Sequence, residues 1–294
     1  MTVIWAALVA ARLVHFTALM MLFGAVLFDL AVDRPLETIA GSVPRLPAFP
    51  TRIRIFAALL VLSSGLAWVT CSLIDMAGGV DQLTWALWTD FFLQTSFGPP
   101  WIAHLALCMA LVGLAWGRSM AQLIVSAVAL VSLAWVGHAA AALGSMLPVR
   151  LTLQALHLLA AGAWLGALPA LISVLRMGQV TRSQAALVGF STIGIAAVIT
   201  LAITGLANAA LIMRAPMDLI VTAYGRVLAL KIALVAAMLG LAAINKMILT
   251  PRLLEGPDQP ATVAGLIRTI SFEQSLGVLV VLAASVLGTW SPAS

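Results

Sequence analysis

Eight stretches of this 294-residue chain are long and apolar enough to cross a bilayer, and little sequence between them is left for any other kind of domain. They run approximately over 4–31, 53–75, 98–117, 120–143, 151–175, 186–212, 226–249 and 270–290, against the roughly 20 apolar residues that a span needs. Strict polar–apolar alternation is absent, which argues against a β-barrel, so helices must satisfy the backbone inside hydrocarbon. The fold expected is all-α: a polytopic membrane protein with eight transmembrane helices in one integral membrane domain. With 63% hydrophobic and 9% charged residues, the composition excludes a soluble globular domain of this length.

The net charge of +5 does not make a nucleic-acid surface, because the 15 Lys and Arg are scattered singly through short loops. Their distribution instead orients the chain. Loops after the odd-numbered spans hold ten (Arg34, Arg45, Arg52, Arg54, Arg118, Arg176, Arg182, Lys246, Arg252, Arg268), and those on the other side hold three (Arg150, Arg214, Arg226). The positive-inside rule then puts both termini outside, which is the periplasm in a bacterial inner membrane. Asp75, Asp81 and Asp90 fall in one outer loop free of basic residues, and Trp5, Trp68, Trp85, Trp88, Trp101, Trp135 and Trp290 read as an aromatic belt near the outer ends. The first segment, Trp5 to Leu30, lacks a basic stretch before it and a small-residue cleavage pattern after it, so it reads as a retained helix.

The two halves resemble each other. His15 is followed nine residues later by Gly24, and His157 by Gly166; Ser64-Gly65-Leu66-Ala67 matches Thr204-Gly205-Leu206-Ala207; the run Thr95 to His104 matches Thr222 to Lys231. Three matches in one order imply two parallel four-helix repeats, residues 1–149 and 150–294, with sites expected at the repeat interface.

The four histidines, His15, His104, His138 and His157, all lie inside or at the edge of apolar spans. An ionisable side chain in hydrocarbon is a functional-site hypothesis by default. With the N-terminus outside and a rise of about 1.5 Å per residue, all four fall on the order of 8–15 Å below the outer surface. A single membrane histidine is as readily an interhelical hydrogen bond, but four in one leaflet read as metal ligands, with His15 and His157 a pseudo-symmetric pair. His104, whose counterpart is Lys231, ranks last. Imidazole together with the thioethers of Met146, Met213 and Met217 would favour copper. Cys71 and Cys108 lack metal-motif spacing and read as packing residues, although Cys108 shares a helix face with His104. Arg12 requires a carboxylate, an anionic ligand or the headgroups; Glu273 reads as the partner of Arg268 or Lys246.

The runs Arg12-Leu-Val-His15-Phe, His157-Leu-Leu-Ala-Ala-Gly162-Ala-Trp164-Leu-Gly166 and Thr222-Ala-Tyr224-Gly225-Arg226-Val-Leu228-Ala-Leu-Lys231, continued through Asn245-Lys246, Pro251, Leu253, Arg268, Glu273 and Ser291-Pro292, carry a resemblance. In these the chain resembles the CopD family of copper-resistance and copper-homeostasis membrane proteins. The likeness is most specific over 150–294. The resemblance implies handling of copper, as Cu(I) or Cu(II), at the bacterial inner membrane, with a periplasmic carrier of the CopC type as partner. Histidines confined to the outer half favour uptake over export. Two other readings are a b-type haem protein with histidine axial ligands and a scaffold for other copper-handling proteins. No paired intramembrane carboxylates, nucleophile elbow, phosphate loop or HExxH occurs, so a binding or transport protein is expected rather than an enzyme.

Overall fold

The computed structural model describes residues 2–33, 50–117, 119–136, 146–213, 215–255 and 259–290. Among the described residues there is no strand. Helix α1 (Thr2–Phe28) ends in a π turn, Asp29–Asp33, and is followed by α2 (Thr51–Ala77), α3 (Trp85–Gln94), α4 (Gly98–Leu114) and α5 (Met120–Ser132). The second half comprises α6 (Met146–Leu165), α7 (Leu168–Arg176), α8 (Val180–Ile212), the short α9 (Asp218–Val221), α10 (Ala223–Ile244) with a π turn Asn245–Leu249, α11 (Thr250–Glu255) and α12 (Gln259–Leu287).

Among the described residues, six helices are long and apolar enough to cross a membrane: α1, α2, α6 with α7, α8, α10 with its extension, and α12. The other two expected spans are shorter. The stretch at 98–117 is the 17-residue α4, bent 98° from α3, and the pair makes a seventh span only if taken together. The stretch at 120–143 begins as the shorter apolar helix Met120–Trp135; its remainder from 137 on, His138 included, lies outside the described residues.

Local chemistry explains the bends. Thr84, Ser119 and Thr222 accept N–H groups at the starts of α3, α5 and α10, from Leu87, Gln122 and Gly225 at 3.2, 3.2 and 2.9 Å. Pro99 and Pro100 occupy the first turn of α4, where the missing N–H costs nothing. Gly98 and Gly225, six residues before His104 and Lys231, have no room for a side chain: a Cβ at Gly98 would strike the carbonyls of Phe91 and Phe92, and one at Gly225 the carbonyl of Asp218. In both halves a short helix is thereby folded back on the start of the next.

The core is organised on α1, which packs against α2, α5, α6, α7 and α12. Its closest approach is backbone on backbone. A Cβ at Gly24 would meet Gly166, Ala167 and the Gly162 carbonyl, and one at Gly166 would meet the Met20 carbonyl. Small residues at such a crossing let two membrane helices exchange dispersion contacts along their backbones, where no hydrophobic drive separates them from lipid. Gly166→Ala is expected to lower thermal stability in detergent by about 1–3 kcal/mol, the usual cost of overpacking. Gly240→Ala, where nothing lies within 4 Å, should leave the melting curve in place.

Candidate metal centre

His15 projects from α1 and His104 from α4, and both are fully buried. Their Nε2 atoms face each other at 2.9 Å. Cys108 follows His104 by one turn of α4, is fully buried, and sets its Sγ 3.5 Å from His104 Nε2. All three donor atoms lie within 4.8 Å of one another.

The outer ring nitrogens determine which protons the inner ones carry. His15 Nδ1 lies 3.0 Å from the Val61 carbonyl and 3.2 Å from Ser64 Oγ, and a carbonyl only accepts, so Nδ1 holds the proton. Ser132 donates its single hydroxyl hydrogen to the Ala129 carbonyl at 2.8 Å and so accepts from His104 Nδ1, also at 2.8 Å. Both imidazoles therefore aim Nε2 at the same point, with a thiol beside them. At 2.9 Å the two nitrogens stand at hydrogen-bond distance, held by a proton or by a cation that replaces it. Fixing Nδ1–H on a second partner and aiming Nε2 inward is how proteins orient histidine toward a metal. Two imidazoles and one sulfur form a soft donor set suited to copper, Cu(I) above all.

Aromatic rings wall the cluster. Trp68 lies 5.7 Å from the His15 ring, Trp101 lies 5.9 Å from the His104 ring, and the two indoles meet edge to face at 5.2 Å. Both are buried, so two tryptophans expected in an interfacial belt instead line the site. Trp85, by contrast, is exposed. Arg12, one turn before His15, lays its guanidinium over the Trp68 ring at 4.5 Å and against Gly288, just past the end of α12, and its Nε makes no hydrogen bond. A cation–π contact, which was not among the carboxylate, anionic ligand or headgroup partners expected from the sequence, receives the charge.

His157 lies outside this cluster. Its Nδ1 bonds Thr204 Oγ1 at 2.9 Å, and its Cε1 lies 3.6 Å from the Cβ position of Gly205. His15 meets Ser64 and Gly65 in the same manner. The two seats differ in their third wall. Helices α2 and α4 pack together, whereas α8 and α10 are barely in contact, leaving His157 half-buried with Lys231 in electrostatic range where His15 has His104.

Glu273, expected to pair with Arg268 or Lys246, instead accepts from Asn245 Nδ2 at 3.3 Å and hydrogen-bonds Trp164. Lys246 reaches Ser191 at 2.9 Å. Asn245 also accepts from the Thr269 hydroxyl. The π turn that begins at Asn245 turns this side chain inward, which an ideal helical register did not foretell. Met213 and Met217 lie near the start of α9, and Met146 begins α6.

The haem reading does not fit these two histidines. Bis-imidazole ligation of haem needs a macrocycle between the two rings. With the rings edge to face and 5.0 Å between centroids there is no slot for one.

Residues 1–147 match the family model described as copper resistance protein D-like, N-terminal domain, and residues 184–287 match that described as copper resistance protein D. The chain is 33% identical to the inner membrane protein YebZ of Escherichia coli K12 over 97% of its own length and 98% of that protein's. It is 31% identical to copper resistance protein D of Pseudomonas syringae pv. tomato, over 97% and 96%. No solved structure matches.

Ser132→Ala should weaken Cu(I) binding by about 10–100-fold, the range usual for a lost outer partner of a metal-bound histidine. Competition with a chromogenic chelator in detergent measures it, and an unchanged affinity would mean that the His104 tautomer is not set as described.

Proposed function

Because this chain belongs to the copper resistance protein D family, we propose that it is a copper-binding inner-membrane protein whose cargo is held by His15, His104 and Cys108 and moved between periplasm and cytoplasm. One observation carries the reading: two imidazole Nε2 atoms and a thiol converge at one buried point, with both Nδ1 atoms engaged by partners outside the cluster.

The direction proposed is uptake. Both termini are periplasmic on the loop-charge count, and in that orientation the cluster lies in the outer half, beneath Asp75, Asp81 and Asp90. Acidic groups at a mouth raise the local concentration of cations. A periplasmic copper carrier of the CopC type is the proposed donor. The inner half, by contrast, presents Glu273 and Asn245 and no histidine among the described residues.

The proposed architecture is two parallel four-helix repeats, 1–149 and 150–294, in eight spans. The matching seats of His15 and His157, and the matching cradles of Gly98 and Gly225, support it. His157 and His138 then serve as further cargo ligands on the path, His157 from the seat equivalent to that of His15.

His15→Ala and His104→Ala should each abolish tight copper binding by the purified chain and stop copper(I) accumulation in proteoliposomes, measured by metal analysis of the vesicles. Undiminished stoichiometry in either variant would sink the assignment. Cys108→Ser is expected to retain binding while losing the charge-transfer absorption of a copper–sulfur bond.

A further inference from the structure

The seat of His157 repeats that of His15 in the way it presents an imidazole, and departs from it in what stands opposite. Thr204 donates its hydroxyl hydrogen to the Thr200 carbonyl at 2.6 Å and so accepts from His157 Nδ1 at 2.9 Å, which leaves the lone pair of the neutral imidazole on Nε2. Gly205 lies under the ring as Gly65 lies under that of His15. On this side, α6 and α8 do for His157 what α1 and α2 do for His15 with Ser64 and Gly65.

The difference comes from α10. Gly225 is packed on the Asp218 carbonyl as Gly98 is on those of Phe91 and Phe92, which gives α10 and α4 a common starting point. Six residues on from these glycines stand Lys231 and His104, and ten residues on stand Val235 and Cys108. Where α4 supplies an imidazole and a thiol from successive turns of one face, α10 therefore supplies an ammonium and an isopropyl group. Leu228 takes the place of Trp101 and Asn208 that of Trp68, so the indole walls are gone as well. Lys231 is half-buried and within electrostatic range of His157, and among the described residues no carboxylate pairs with it. An ammonium offers a metal no lone pair. Without a counter-charge it also raises the energy of a cation on a neighbouring nitrogen, and more so where the dielectric is low.

We infer that Lys231 sets the copper(I) affinity of the second seat: its ammonium stands where the first half places His104 and keeps His157 from holding the ion tightly, so that this seat passes an ion on while the first retains one. The inference rests on the copper reading above and on the pairing of the two halves. It assigns the difference between two like seats to one side chain. No bond other than coordination is made or broken, and the ion keeps its oxidation state.

Lys231→Met tests this, because methionine keeps the unbranched shape of lysine, removes the charge and brings a soft thioether donor. Equilibrium dialysis of the purified chain against buffered copper(I), under reducing anaerobic conditions, should give one tight ion for the wild type and two for the methionine variant. Adding His157→Ala to that variant should return the count to one, and Lys231→Arg, which keeps the charge, should bind as the wild type does. Lys231→Gln, neutral but without sulfur, should raise the affinity of the second seat by about tenfold or more, a check that stands if the methionine variant fails to fold. A methionine variant that still binds one ion, a second ion that survives loss of His157, or a second tight ion in the arginine variant overturns the assignment. Lys231→Met placed on the His15→Ala/His104→Ala background separates the two readings. A single ion there that depends on His157 supports the role of Lys231 on its own, whereas a wild-type chain without a tight ion defeats the first cluster and leaves Lys231 to this variant.

Discussion

Everything in this molecule is positioned by the place where α1 and α6 touch without side chains between them. Gly24 lies against the backbone of 162–167 and Gly166 against that of Met20, so the two helices are held at backbone distance in a solvent where no hydrophobic drive would do it. Around that contact α1 meets α2, α5, α7 and α12 as well. One helix therefore presents Arg12 to Trp68 on α2 and His15 to His104 on α4. A shift of α1 by a fraction of a turn would separate all of these at once. The polar groups of a membrane interior have no water to turn to, so their mutual placement is all-or-none.

The contrast between the halves is instructive because the same seat has two different outcomes. Ser64 with Gly65 and Thr204 with Gly205 hold an imidazole in the same manner, Nδ1 toward a hydroxyl and Cε1 over a glycine. In the first half α4 closes in with a second imidazole and a thiol. In the second half α10 stays apart from α8 and offers an amine. A seat of small residues is a cheap thing to build and is neutral as to what it serves; the third helix decides.

How far the sequence spoke for itself follows from which physical rule each feature obeys. Apolar length and composition foretold helices and their order, since the bilayer sets that requirement uniformly. The glycine nine residues after each histidine and the Ser64–Gly65 and Thr204–Gly205 pairs were visible as matched spacings, and each occupies a close approach in the structure. The choice of partner for His15 was not visible. Ranking by pseudo-symmetry favoured His157 and put His104 last, yet His104 is the residue in contact, because the packing of α2 on α4 lies beyond any periodicity in one chain. Cys108 stood four residues after His104 and Trp101 three before it; helical spacing alone was a usable signal that all three share a face. Glu273 was assigned a cation from charge arithmetic, and only the π turn at Asn245 explains its actual partner. Where a helix departs from 3.6 residues per turn, face arguments from sequence lose their footing.

Arg12 sits one turn from His15 with its guanidinium spread on Trp68, the same indole that walls the imidazole. Its charge is permanent under any physiological condition. On the copper reading proposed above, a fixed positive charge beside the cluster would set a toll that scales with the valence of the ion held there: by Coulomb's law a divalent ion is repelled twice as strongly as a monovalent one at the same place. That charge would then weigh against zinc and cupric ions, however well imidazole suits them, and favour the cuprous ion.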